Sequence, residues 1–390
     1  MKQEYYIYHF LFILFLIILS TNCVYADNNY PQKVELAQSY EGGLLLYDTA
    51  SQRSYFIKPN WESSQDVIST WRGIEKINSV GKPIGDDQII TATTIAGNLL
   101  LVSHNFNKSF LQLYNNNLDL IAITEFPDDL TINPNSIKIK KANDSLLYIL
   151  YSENLYKISI ANNFFEVLKI AMQISDFEVI YQNYSLFIAL LENHNNKGIL
   201  RILDTYLNER TSTALNIALI NEIQNIGNFL IIKSSYENSN STLVNIFDLN
   251  RNKIIASNYF ESDINNITFI AENNNINIYW IGSESGQYIL NITTLLPSSG
   301  KINYEQDKLP KQIFEPIKLQ SIGNDVFLFF RNAILICNQK DNIKLFDFVN
   351  LGNNYKEKFN IEKIKDNLII SSKYYSEIYD IKTNQFWWLN

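Results

Sequence analysis

Apolar runs of four to eight residues, separated by Asn, Asp, Ser and Gly, follow one another along most of this chain. Leu99-Leu100-Leu101-Val102, Leu146-Leu147-Tyr148-Ile149-Leu150, Phe229-Leu230-Ile231-Ile232 and Leu368-Ile369-Ile370 are typical. Runs of this length, rich in branched and aromatic residues and bounded by turn formers, predict β-strands. Beyond residue 27 no segment sustains a 3.6-residue apolar period, so no long helix is predicted. Pro and Gly are sparse, with 8 and 13 copies. Asn does much of the turn work instead, because its side chain accepts backbone hydrogen bonds and it tolerates the left-handed conformation of tight hairpins.

The strands recur with a period. In the last copy an apolar run ends at Asp380, a second polar turn residue follows at Asn384, and Phe386-Trp387-Trp388 begins the next run. Earlier copies are centred on Asp48, Asn115, Ser159, Asp204, Asp248, Asn291 and Asn338. From Asn115 onward the steps are about 44 residues, the size of a stacked supersecondary unit. Four strands of about five residues and their turns fill such a unit, which is the content of one propeller blade. The predicted fold is all-β, a single β-propeller of four-stranded blades over residues 27–390, with eight blades expected and seven the alternative. The step from Asp48 to Asn115 is longer by about 23 residues. That excess is assigned to an inserted loop at about 61–85, a place where repeat arrays often carry binding residues.

The first 26 residues read as a leader. Lys2 precedes an unbroken apolar run, Phe10 to Leu19, and Val24-Tyr25-Ala26 sets compact residues before Asp27. This is the layout of a secretory signal peptide, and the run is shorter than the ~20 apolar residues a spanning helix needs. Cys23 is the candidate lipidation site, the one membrane attachment considered besides an uncleaved leader. Leu19 four positions before it and Asn22 directly before it depart from the usual acylation pattern, which favours a cysteine discarded with the leader. Cys337 would then be the only remaining cysteine, so no intrachain disulfide is expected. It lies in Ala333-Ile334-Leu335-Ile336-Cys337 and is expected to be a buried, inert thiol.

Charge narrows the partners. The net charge is −8, and the densest basic stretch (Lys138, Lys140, Lys141) alternates like a strand face, so nucleic acid is not expected as a partner. Aromatic residues make up 13% of the chain. Most are expected in the core, where Tyr and Phe suit half-buried strands. Trp61 and Trp71 in the expected insert, with the pair Tyr374-Tyr375, are the candidate partner contacts, because Trp and Tyr commonly anchor protein interfaces.

The last unit carries a more specific likeness. Asp380-Ile381-Lys382-Thr383-Asn384-Gln385-Phe386-Trp387-Trp388 resembles the repeat of quinoprotein-like propellers, in which Asp, Thr-Gly and a later Trp recur in each blade. Asn384 stands at the Gly position and Trp388 at the blade-docking tryptophan. In the periodicity of nearly the whole mature chain, though in the diagnostic residues of one blade only, the chain resembles the periplasmic propeller subunit of the outer-membrane β-barrel assembly machinery. That resemblance implies an eight-bladed, exported, non-enzymatic scaffold for protein partners, monomeric outside its complex and without a cofactor.

Candidate catalytic chemistry is sparse. Only His104 and His194 remain after the leader, in different units, and a His/Cys metal site needs more ligands. Asp86-Asp87 and Asp128-Asp129 fall in expected loops outside any calcium-loop pattern. Gly282-Ser283-Glu284-Ser285-Gly286 has Glu where a nucleophile elbow needs Ser, and it reads as a hairpin between Ile278–Ile281 and Tyr288–Leu290. No catalytic, cofactor or metal site is expected. The function expected is an exported propeller, periplasmic or extracellular, that binds a protein partner. The alternative is an enzyme or glycan-binding propeller with its site in the central channel.

Overall fold

A computed structural model describes residues 44–389, apart from segments between strands of which the longest are 58–67, 81–87, 128–136 and 348–359. Thirty-two strands, β1–β32, follow in chain order and form eight four-stranded antiparallel sheets. Every sheet is made of four consecutive strands, so each is one blade of a β-propeller. In blade one these are β1 (Leu44–Asp48), β2 (Arg53–Ile57), β3 (Ile68–Arg72) and β4 (Glu75–Val80). Blades two to eight occupy 88–125, 138–171, 174–215, 220–260, 267–308, 316–347 and 360–389.

The stretch at 61–85 is therefore not an inserted loop. It contains β3 and β4, which complete blade one. The chain turns from Arg72 to Glu75, which pair with each other, and Arg72 lies about 43 residues before Asn115. The period thus runs unbroken from the first blade. Asp48 closes the hairpin between β1 and β2, where it pairs with Arg53, and it resembles the later turns only locally. Two other expected turn centres lie inside strands: Ser159 in β11 (Asn154–Ala161) and Asn291 in β23 (Gln287–Leu296).

Where the turn centres hold, their chemistry is uniform. One side-chain oxygen of Asn115, Asp204 or Asp248 accepts two backbone amides from the residues that follow. The donors are Asn117 and Asp119, Tyr206 and Asn208, and Asn250 and Arg251, at 2.9–3.0 Å. These contacts replace the backbone partners that a tight turn leaves unmet.

From blade one to blade seven, first strands of successive blades pack against each other, so they form the inner ring. Apolar clusters fill the junctions between adjacent blades from one to seven. Alternation explains the unbroken apolar runs. In β18 (Phe229–Ser235), Phe229 and Ile231 face blade six while Leu230 and Ile232 face blade four. A strand buried on both sides has no polar face to show.

The inner ring also carries charge. Asp176 in β13 (Ile174–Gln182) accepts Lys138 of blade three at 2.6 Å, its neighbour Phe177 N at 2.8 Å and Ile223 N of blade five at 2.8 Å. One carboxylate thus ties three blades together. Lys140 reaches Glu178 at 3.1 Å. The basic stretch is engaged in joints between blades, as a strand face with fixed partners. At the ring's end, the described strands of blade eight all come from 360–389, and β1 packs against its second strand, β30 (Asn367–Ser371). Among the described residues no strand crosses from one terminal blade into the other's sheet.

Candidate functional site

The described surface holds a cleft of about 620 Å³ at one edge of blade six, reaching onto blades five and seven. Its floor comes from one row across the sheet. Trp280 in β22 (Asn275–Glu284) lies opposite Asn291, and Asn291 lies opposite Gln306 in β24 (Lys301–Lys308). Directly opposed residues of an antiparallel ladder point to the same side, so all three emerge on the face toward blade five.

Two of the floor residues are held by neighbours. Phe260 of blade five meets the Trp280 ring edge to face at 5.8 Å, a contact worth about 0.5–1.5 kcal/mol beyond burial. Tyr304 O–H donates to Asn291 Oδ1. Asn291 is 2% exposed, and its amide nitrogen leans over Gly282, two residues beyond Trp280. A Cβ at Gly282 would lie 2.9 Å from that nitrogen and 3.3 Å from the indole, closer than carbon packing allows. Glycine at 282 keeps the cleft open.

Three polar atoms at the floor lack partners. Trp280 Nε1 and Asn266 Oδ1 are sealed from bulk water and make no hydrogen bond among the described residues. Asn291 Nδ2 likewise has no bond to a described residue beside its engaged Oδ1. A buried polar group without a partner costs about 1–3 kcal/mol.

The rim is acidic. Glu261, Asp263, Glu284 and Glu315 line the cleft, and no Lys, Arg or His is among its described lining residues. Asp263 caps the 3-10 turn Ile264–Asn266 by accepting Asn265 N at 2.8 Å, which fixes the Asn266 side of the hollow. The neighbouring base Lys233 is bonded to Glu222 and to the Ile264 carbonyl. Lys308 and Lys311 stand in an adjoining hollow that shares Glu284.

Most residues singled out from the sequence do not converge here. Trp61, Tyr374, Tyr375 and Cys23 lie outside the described residues, as do Asp86, Asp87, Asp128 and Asp129. Trp71 is in β3, opposite Ser54. His104 and His194 end strands of blades two and four, and His104 Nδ1 meets Ser109 Oγ at 3.3 Å. Cys337 is buried at the junction of blades six and seven, and burial pushes its thiol up to about 11. Among the described residues no three His, Cys, Asp or Glu side chains form a metal-binding group. The Gly282–Gly286 segment is the expected hairpin, with Ser285 and Gly286 at φ of 51° and 77°. Its strands supply the cleft that local reading of this motif passed over.

The fold is that of known β-propellers. The chain is similar to the WD40 domain of SCAP from fission yeast (TM-score 0.55, 9% identity, 89% of this chain and 97% of that one). It is similar to a structure described as the eukaryotic initiation factor (0.55, 11%, 92% and 91%). A third likeness is to dihydro-heme d1 dehydrogenase NirN in complex with DHE (0.50, 9%, 91% and 74%). At such identities the likeness is one of fold alone. No protein-family model matches the chain, and no curated protein is similar to it in sequence.

Proposed function

We propose that this protein is an exported, non-catalytic β-propeller that holds a protein partner, with the cleft on blade six as its docking site. The observation that carries the reading is the cleft itself. It has an aromatic and amide floor and a carboxylate rim, and no histidine or cysteine is among its described lining residues. The leader-like first 26 residues support export. The resemblance of the chain's repeat pattern to the propeller subunit of outer-membrane β-barrel assembly supports a partner in the cell envelope. A site in the central channel is the weaker reading, because the inner-ring charges of blades three and four pair with each other.

The test is crosslinking in intact cells followed by purification of the full chain from the envelope fraction. A reproducible, stoichiometric protein partner is expected. Recovery of the chain without a partner, together with turnover of a substrate by the purified protein, would overturn the reading.

A further inference from the structure

We infer that two turns at one end of blade four bind an extended, uncharged polysaccharide, with Tyr184 and Tyr206 stacking on its sugar rings. Tyr184 lies between the first and second strands of its blade, and Tyr206 between the third and fourth. The blade-six cleft is built at the other end of the antiparallel sheets, where β22 runs into β23 and blade five passes into blade six. The two sites are therefore separate, and loss of one would leave the other intact.

Backbone geometry singles out Tyr184. Gln182 of β13 pairs with Ser185, the first residue of β14 (Ser185–His194), so Asn183 and Tyr184 alone make the turn, at φ of 50° and 62°. A two-residue hairpin of this form favours glycine in the second place, because a Cβ crowds the backbone in the left-handed region. Among the described turns of this form, Ala96-Gly97 and Ser285-Gly286 have glycine there and Ser152-Glu153 has a glutamate. Only Asn183-Tyr184 puts an aromatic ring in that place. The ring gains nothing from the fold in return, being 110% exposed with no hydrogen bond or ring contact to a described residue.

Tyr206 stands beside it. β15 (Lys197–Asp204) ends at Asp204, and the turn into β16 (Glu209–Leu215) leaves Tyr206 86% exposed. Phe187 lies opposite Asp204, and the same register carried onward places Tyr206 level with Ser185, next to Tyr184. The two turns are two strand spacings apart in the sheet, about 10 Å. Rings held at that separation can each cover one sugar, with a sugar between them, when the ligand chain is straight and presents flat ring faces.

Charge selects the ligand class. Gln182-Asn183-Tyr184-Ser185 and Thr205-Tyr206-Leu207-Asn208 contain no ionisable group besides the two phenols. The adjoining carboxylate of Asp204 accepts the Tyr206 and Asn208 amides and the Asn208 side chain, with Arg210 3.9 Å away. Gln182 donates to Asn250 of blade five at 2.8 Å, which sets an amide pair beside the turn. A charged ligand finds no counter-charge within these turns. An acyl chain would strip water from the amides and give nothing back. An uncharged sugar chain meets both features, with apolar ring faces for the tyrosines and hydroxyls that donate to and accept from the amides.

The test titrates the full chain with cellohexaose, chitohexaose, maltohexaose and hexagalacturonate by calorimetry. Cellohexaose or chitohexaose, straight and uncharged, should bind at least about ten-fold more tightly than coiled maltohexaose or charged hexagalacturonate. Tyr206→Ala should weaken that binding at least about five-fold, as loss of an interface anchor does. Tyr184→Gly should weaken it as much while leaving the melting temperature no lower, because glycine suits the turn better than tyrosine. Tyr184→Phe and Tyr206→Phe, which keep the rings, should still bind. Absence of binding to every hexasaccharide at millimolar concentration overturns the inference, as does binding that survives Tyr184→Gly combined with Tyr206→Ala. Capture of the chain by phosphatidylcholine vesicles, lost in the same double variant, would assign the rings to a lipid surface and overturn it as well.

Discussion

Asp204 shows how little chemistry a blade needs in order to turn. The backbone amide of Asn208, helped by that residue's side chain and by the Tyr206 amide, holds the Asp204 carboxyl below the usual carboxylate range. A depressed folded-state value means that its stabilising effect is complete above the unfolded value of about 3.9 and is lost as pH falls through the lower one. Asp204→Asn keeps the accepting oxygen and removes the titration. Its melting temperature should therefore fall less than the parent's between about pH 5 and about pH 3, in the acid range where carboxylates titrate. An identical fall in both proteins would show that this turn carries none of the acid sensitivity. Cys337 gives a second residue-scale prediction. With its thiol raised to about 11 by burial and by nearby Asp307 and Asp325, it should resist a disulfide reagent at about pH 8 in folded Cys23→Ser protein and react once in denaturant. Reaction in the folded state would mean the junction of blades six and seven opens readily.

At the scale of elements, the joint between inner strands is the feature most exposed to damage. Asp176→Ala removes the acceptor shared by Lys138, Phe177 and Ile223 and leaves buried donors behind. Breaking such a pair costs about 3–5 kcal/mol, to be read as a lower urea midpoint. A loss below about 0.5 kcal/mol, the range of an ordinary surface substitution, would mean the three blades hold without it. Elements also mark the limit of reading sequence alone. The repeat was legible because Asn115, Asp204 and Asp248 serve the same turn with the same atoms. Asp48 misled because a two-strand hairpin anywhere in a blade presents the same Asp and apolar flanks, and only pairing in space tells a first hairpin from a last one. Asn291 looked like a further turn, yet its strand continues to Leu296 and turns it into the buried floor of the cleft. The cleft itself was not legible. Its acids come from Glu261, Glu284 and Glu315, which belong to different segments and meet only because blades five, six and seven are stacked.

The whole molecule is a ring whose junctions are apolar clusters between neighbouring sheets, from Tyr55 and Leu101 at the first to Leu290 and Phe330 at the sixth. Each blade is complete in sequence, and β1 meets β30 by packing rather than by joining its sheet. Among the described residues no strand of one terminal blade joins the sheet of the other, so this closure is one more packed junction. It follows that the break in the chain is movable. A circular permutant that links residue 389 to residue 44 through a short flexible spacer, and opens at 216–219 between blades four and five, should fold to the same ring. Its melting temperature should stay within a few degrees of the parent's, as breaks placed in loops are generally tolerated. Such a molecule would carry the blade-six cleft near its amino-terminal end, so a docking surface could be repositioned along the polypeptide without being rebuilt.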